Sequence, residues 1–233
     1  MTVSTLHSGV LHSVGMQIVS GDLPAGSTMT LEMLQNQYGV SRTVARESMR
    51  ILESMRLVVS RPRTGLVVQP QSRWNVLDRQ VIRWRLDSSA RPQQLQSLTE
   101  LRIGIEPMAA ALAARRADES QRDKLRVAAA ELKLFGELKR TDKYLAADIA
   151  FHTTLLMASG NEMYASMCDV VVEVLAEQPL REHISFPAPA SVHHHEQVML
   201  AVCERNPDRA ETEMLHLLKD VKAGLVAAIG VEP

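Results

Sequence analysis

Apolar residues recur every third or fourth position along most of this chain, and near its start they gather into two short β-branched runs. The three-to-four spacing marks one face of an α-helix. It predicts helices over about 6–20, through Val10, Leu11, Val14 and Ile18, over about 31–37, through Leu31, Met33 and Leu34, and over about 41–55, through Val44, Met49, Leu52 and Met55. The β-branched runs, Leu57-Val58-Val59 and Leu66-Val67-Val68, flank a short polar segment and predict a hairpin. After a linker at 69–72 the helical period returns. One helix opens near Trp74 and runs to about Leu86, with Val81, Ile82 and Trp84 for burial. A long one follows over 92–117, where Leu95, Leu98, Leu101, Ile105, Met108 and Leu112 keep the spacing. Further helices are expected over 119–135, 142–158, 162–176, 191–205 and 207–228, with a less regular, proline-bearing stretch over 177–190. Residues 1–6 are expected to fray.

The order helix, helix, helix, hairpin within the first 70 residues is that of a winged helix-turn-helix. The helices that follow, about six or seven with short joins, form an antiparallel bundle. The fold class is therefore mainly α. The expected domains are 1–70, the winged helix-turn-helix, and 71–233, the helical body. Trp74 and Trp84 are expected to wedge the two together.

The third helix carries the chemistry of the head. Ser41 can cap it, because a serine hydroxyl accepts a free N–H of the first turn. Arg42 and Thr43 sit in that turn, Arg46 lies one turn further on the same side, and Arg50 continues the row. A helix that leads with arginine and small polar residues suits the DNA major groove. The same pattern also describes an ordinary amphipathic helix with a solvated basic face. The hairpin tilts the balance, since its turn carries Arg61, Arg63 and Thr64 before Gly65. Arg42 and Arg46 are expected to reach bases and Ser41 and Thr43 to anchor phosphates. Arg61, Arg63 and Gly65 form the expected wing contact.

Composition narrows the classes. The chain has 233 residues, 45% hydrophobic but only 3% aromatic, so its core is aliphatic and suited to helices. Residues 1–70 hold six arginines against four acidic residues, a surplus of two. The whole chain carries −1, so the remainder carries −3. A mildly basic head on an acidic body fits a head that meets phosphate. Cys168 and Cys203 fall in helical patterns and read as reduced thiols. With no apolar run of membrane length and no signal-peptide pattern, a cytoplasmic protein is expected. No P-loop, Gly-x-Ser-x-Gly or Cys-x-x-Cys string is present.

In the body, Asp148 and His152 stand four apart on one helix, so their side chains share a face. Such a pair can hold a divalent metal, although most are solvated or hydrogen-bonded. Ile149, Phe151, Leu155 and Leu156 flank them, and His193-His194-His195 opens a later helix. Arg102 sits among Leu98, Leu101 and Ile105, and a salt bridge to Glu106 is the plain alternative to a ligand contact.

Two resemblances sharpen these readings. Gly21-x-Leu23-x-x-Gly26, Val40-Ser41-Arg42-Thr43-x-x-Arg46-Glu47 and Gly65-x-x-Val68 resemble the DNA-binding domain of GntR-type bacterial transcription regulators, over residues 10–70. Relatives often carry Glu-Arg before the leucine of the second helix. Here the stretch is Leu31-Glu32-Met33, and no contact is carried over. The runs LRIGIEPMAAALAARRA, AADIAFHTTLLMASGN and HEQVMLAVCERNPDRAETEM follow the motif order of the FCD ligand-binding domain of the FadR subfamily, over about 75–228. SRWNVLDRQVIRWRLD is similar to repressors of sugar-acid, galactonate-type catabolism.

The resemblance implies a homodimeric regulator, a repressor, on palindromic operator DNA. A small carboxylate metabolite, a sugar acid, would control it. It also implies a divalent metal, Zn first with Ni or Mn as options, on Asp148, His152 and a histidine six residues before Ala201-Val202, which is His195. The family's last histidine falls three residues after a methionine. Counting from Met214 gives Leu217, and His216 is one residue early, about 100° around the helix. Either the helix shifts and His216 ligates, or the site has three protein ligands and a weakly held or absent metal. Arg102 would bind the effector carboxylate, and Asn161 would line the cavity or cap a helix. Two alternatives remain at this point: a metal-dependent hydrolytic enzyme, or a DNA-binding module whose body only dimerises.

Overall fold

The computed structural model describes residues 3–176 and 189–229, so most of the irregular stretch expected over 177–190 lies outside the described residues. The structure is mainly helical with one small sheet. It divides into two compact units between Gln94 and Leu95.

The N-terminal unit contains α1 (Val3–Ser20), β1 (Thr28–Met29), α2 (Leu31–Tyr38), α3 (Arg42–Ser54), β2 (Val58–Arg61), β3 (Gly65–Val68) and α4 (Arg79–Leu86). The turn of the helix-turn-helix is set by local chemistry. Gly39 ends α2 in the left-handed region, with φ 61°, where a glycine carries no Cβ penalty. Ser41 then caps α3, its hydroxyl accepting the Val44 N–H at 3.3 Å. The hairpin is a three-stranded sheet in the order β1-β3-β2, antiparallel throughout, with Arg61 opposite Gly65. β1 has two residues, too short to show a period in the sequence. One core holds the unit together, including Val10, Val14, Leu34, Leu52, Leu57 and Leu66. Each such side chain, taken fully from water, contributes about 1.5–3 kcal/mol.

Both tryptophans, expected to wedge the two domains, pack instead into this N-terminal core. Trp84 is buried, and its Nε1–H donates to His12 Nδ1 at 3.0 Å. Its ring fills the space where a Cβ on Gly15 would stand, so that glycine is what lets α4 press against α1. Trp74 lies before α4 and donates to the Gln69 carbonyl at 2.8 Å. α4 itself starts later than expected, because Asp78 caps it through the N–H groups of Gln80 and Val81. The compact unit thus runs past the winged helix to include α4.

The C-terminal unit is all helix among the described residues. α5 (Arg91–Arg116) begins in the first unit and continues into the second. It is followed by α6 (Glu119–Glu137), α7 (Thr141–Ala158), α8 (Glu162–Ala165), α9 (Cys168–Leu175), α10 (Pro189–Cys203) and α11 (Pro207–Ile229). Ala110, Ala113 and Ala114 on α5 share a core with Leu125, Phe151, Leu155, Val198 and Leu217. Small residues there allow close approach to the larger ones. Asp118 and Gln121 close a reciprocal capping box at the start of α6. The single helix expected over 162–176 is two, since the chain turns at Ser166 and Met167. The Ser166 hydroxyl bonds back to the Met163 carbonyl at 2.8 Å, competing with helix continuation. Among the described residues, no helix is long and apolar enough to cross a membrane.

Candidate functional site

α3 separates its two faces cleanly. Val44, Ala45, Ser48 and Leu52 are buried, whereas Ser41, Arg42, Thr43, Arg46 and Arg50 are exposed. The arginines at 42, 46 and 50 form one row, as their four-residue spacing requires. Leu31, Arg42, Arg46, Arg50, Glu53 and Ser60 line a groove of about 240 Å³ between helix and sheet. Glu53 positions the wing against the helix: its Oε1 accepts the Ser60 N–H at 2.9 Å. Sequence reasoning passed over that role, since a lone glutamate on a helix carries no signal of it. The wing exposes Arg61, Arg63 and Thr64. Arg63 holds φ 65°, uncommon for a residue with a Cβ. Gly65 holds φ 90°, and a Cβ there would lie 2.5 Å from the Met29 carbonyl oxygen.

The second site lies inside the helical unit. α7 supplies Asp148 and His152, α10 supplies His195, and α5 supplies Arg102 and Glu106. Arg102, Glu106, His152 and His195 are all at most 5% exposed. His195 Nε2 is 3.3 Å from His152 Nε2 and 3.2 Å from Asp148 Oδ1. His152 Nε2 is 3.5 Å from the same oxygen. Phe151 packs edge-on against both imidazoles, with centroids 5.7 and 4.9 Å away, and holds them at this angle. Arg102 Nε donates to Glu106 Oε1 at 2.6 Å, and Glu106 Oε2 takes His152 Nδ1 at 2.7 Å.

An arginine-faced helix-turn-helix with a basic wing, joined to an all-helical unit with an internal Asp-His-His cluster, matches known sequences at both ends. The profile of the FCD domain matches residues 97–220, and that of the bacterial regulatory proteins of the gntR family matches residues 6–68. The chain belongs to the gntR family of bacterial regulatory proteins. It is 31% identical to the HTH-type transcriptional regulator YieP of Escherichia coli K12 over 158 residues, 67% of this chain and 69% of that one. It is 26% identical to the galactonate operon transcriptional repressor of the same organism, over 90% of this chain and 92% of that one. Among solved structures, Lar of Listeria monocytogenes superposes with a TM-score of 0.60 at 17% identity, covering 95% and 96% of the two chains. The family is one of transcription regulators, so the hydrolase reading is set aside.

In this gntR-family protein the internal cluster can be tested for a metal on its own donors. Ligand atoms held at about 2.0–2.1 Å from one ion lie roughly 2.9–3.4 Å from one another. The three separations of 3.2, 3.3 and 3.5 Å are close to that. The tautomers point the same way. Glu106 is an acceptor, and so is the Ser191 carbonyl, 2.7 Å from His195 Nδ1. Both Nδ1 atoms therefore carry the ring proton in neutral imidazoles, and both Nε2 atoms turn bare lone pairs toward the Asp148 carboxylate. Arg102 Nη2 stands 3.4 and 3.2 Å from the two nitrogens of His152. A point nearly equidistant from both lies over the ring face, not along either lone pair. Three acceptors thus meet at one spot with only a cation or an added proton to reconcile them. The donor set fits a divalent metal.

The electrostatics agree. Burial alone would raise the Glu106 carboxyl, but Arg102 and His152 outweigh it and hold it at about 2. Burial likewise opposes ionisation of Asp148, and the two histidines hold it well below the usual carboxylate range. Burial works against charge on His152, yet Glu106 raises its pKa overall. In the metal-free protein a proton on His152 therefore relieves the convergence of lone pairs.

The remaining expected residues lie elsewhere. His216 is exposed and groups with His194 and Glu213, away from His152 and His195. Leu217 takes the inward position and is buried in the core, as the 100° step between neighbours dictates. Asn161 caps α8, its side-chain oxygen accepting the Met163 N–H at 3.0 Å.

Proposed function

We propose that this regulator represses transcription as a homodimer on a palindromic operator and releases it when a small carboxylate, a sugar acid, enters the helical unit. Arg42 and Arg46 read bases, Ser41 and Thr43 hold phosphates, and Arg61, Arg63 and Gly65 bring the wing to the backbone. Asp148, His152 and His195 hold a divalent metal, Zn²⁺ by its nitrogen and oxygen donors, which supplies a Lewis-acid point for a carboxylate oxygen. Arg102 takes the other end of the acid. Its Nε and Nη2 are engaged, but Nη1 of this buried guanidinium has no hydrogen-bond partner among the described residues. A buried donor left in that state is the observation that carries the effector reading. The name of the galactonate operon repressor supports a sugar acid as the class. Self-association is supported by Val127 and Leu134, seven apart on one face of α6, and by Leu138 at its C-terminal cap, all at least 50% exposed.

Effector binding lowers operator affinity only as far as the acid prefers the state with the wrong head spacing. An operator recovered by selection from random duplexes, titrated by fluorescence anisotropy with and without D-galactonate and related acids, tests the proposal. An acid that weakens operator binding at least tenfold supports it. If no organic acid changes operator affinity or melting temperature, the body serves only to dimerise the heads.

A further inference from the structure

A second group of donors stands on α10, the helix that carries His195, and on α11, and no part of the regulatory reading uses it. His194 is next to the internal His195 on α10, and His216 is next to the internal Leu217 on α11. One residue along a helix is about 100° around it, so both fall on a different side from the buried cluster. There they meet. Ligand atoms of His194, Glu213 and His216 all lie within 4.8 Å of one another. Glu213 and His216 are three apart and share a face of α11. His194 Nδ1 is 2.8 Å from Glu213 Oε2, and its ring centroid is 5.7 Å from that of His216.

We propose that His194, Glu213 and His216 form a second, peripheral binding site for a first-row divalent metal, with Zn²⁺ as the best match. Two imidazoles and one carboxylate are a donor set that zinc takes readily, with a fourth position left to water. The 2.8 Å between His194 Nδ1 and Glu213 Oε2 is close to the separation of two neighbouring ligands on one ion. Asp220 Oδ2 lies 3.7 Å from His194 Nε2. In the metal-free protein His194 Nδ1–H donates to Glu213; an ion bound at Nδ1 would move the ring proton to Nε2, on the side of the Asp220 carboxylate, the arrangement by which outer carboxylates orient metal-binding histidines. His194 is half-buried, which fixes one ligand. His216 is exposed and free to swing the remaining distance. A bound ion would clip α10 to α11 directly outside the internal cluster. The competing description is a His194 that only hydrogen-bonds to Glu213 and binds no metal.

Titration of the metal-stripped full chain with Zn²⁺ by calorimetry separates the two. His216→Ala and Glu213→Gln change side chains that contribute nothing to the apolar core, and circular dichroism melting checks that both variants fold. The expected result is one Zn²⁺ equivalent beyond any held by the internal cluster in the wild type, kept in Asp148→Asn, and lost or weakened more than about tenfold in His216→Ala and Glu213→Gln. Because Asp148→Asn disables only the internal cluster, failure there leaves this site readable. Zinc binding that is identical in wild type and His216→Ala, or absent from Asp148→Asn, overturns the proposal and leaves His194 as a hydrogen-bonded residue.

Discussion

His152 and His195 come from different helices and aim their Nε2 atoms at each other across 3.3 Å. Each has given its other ring proton to a fixed acceptor, Glu106 for one and the Ser191 carbonyl for the other. Metal and proton therefore compete for the same lone pairs. Glu106 raises the His152 pKa above the ordinary imidazole value despite burial, so the proton competes at higher pH than for a free imidazole. Zinc affinity at the internal site is expected to fall steadily as pH drops from 7.5 to 5.5, by calorimetry in a His216→Ala background. The metal-free fold should behave oppositely. A raised folded-state pKa stabilises fully below the unfolded value and fades as pH rises through the folded one. Melting of the chelated protein should thus decline toward alkaline pH, and His152→Gln should flatten that slope. A chelated protein whose melting is indifferent to pH between 6 and 8.5 would count against the tautomer assignment.

Arg102 and Glu106 act as a pair. Removing Arg102 leaves Glu106 buried beside His152 with one fewer counter-charge, and breaking a buried pair costs about 3–5 kcal/mol. Arg102→Ala is therefore expected to lower the melting temperature as well as abolish binding of an acid effector. Arg102→Lys separates the two effects, because it keeps the charge and loses the planar fork. It should remain folded and bind the effector weakly. Undiminished effector binding by Arg102→Lys would remove the guanidinium from the effector site.

Arg46 is exposed on the arginine row of α3, and no side-chain hydrogen bond ties it to the fold among the described residues. Arg46→Ala should leave stability unchanged and cost about 1–3 kcal/mol at a single base position of the operator. Substituting each operator base in turn, with anisotropy as the readout, locates that position. Equal affinity of wild type and variant for every duplex would show that α3 does not read the groove through this residue.

Gly65 is the tightest point of the wing. A φ of 90° and a Cβ 2.5 Å from the Met29 carbonyl oxygen leave room for hydrogen only. Gly65→Ala is expected to cost about 1–3 kcal/mol and to disturb the pairing of β1 with β3. Amide exchange of Leu66 and Val67 should quicken. Unchanged protection would mean that the wing backbone can relax elsewhere.

Leu134 lies midway along the exposed apolar row of α6. Leu134→Asp should leave melting of the monomer nearly unaltered but shift the sedimentation coefficient from dimer to monomer at micromolar concentration. A variant that still sediments as a dimer places the self-association surface elsewhere.

Sequence alone determined the two-part plan, because it is written in local terms: apolar period, a cap at Ser41 and two β-branched runs for the wing. The pairing of Asp148 with His152 was legible for the same reason, since four residues along a helix is one turn. What lies across helices was not. Glu106 sets the proton on His152, Trp84 fills the space beside Gly15, and Glu53 fastens the wing, all through contacts between elements whose sequence separation carries no spacing rule. His216 is the clearest case. Counting residues left its direction open, and only the rotation of α11 within the packed core turned Leu217 inward and His216 out toward His194. Helical phase is settled by which side chains leave water, and that is a property of the assembled core rather than of any one segment.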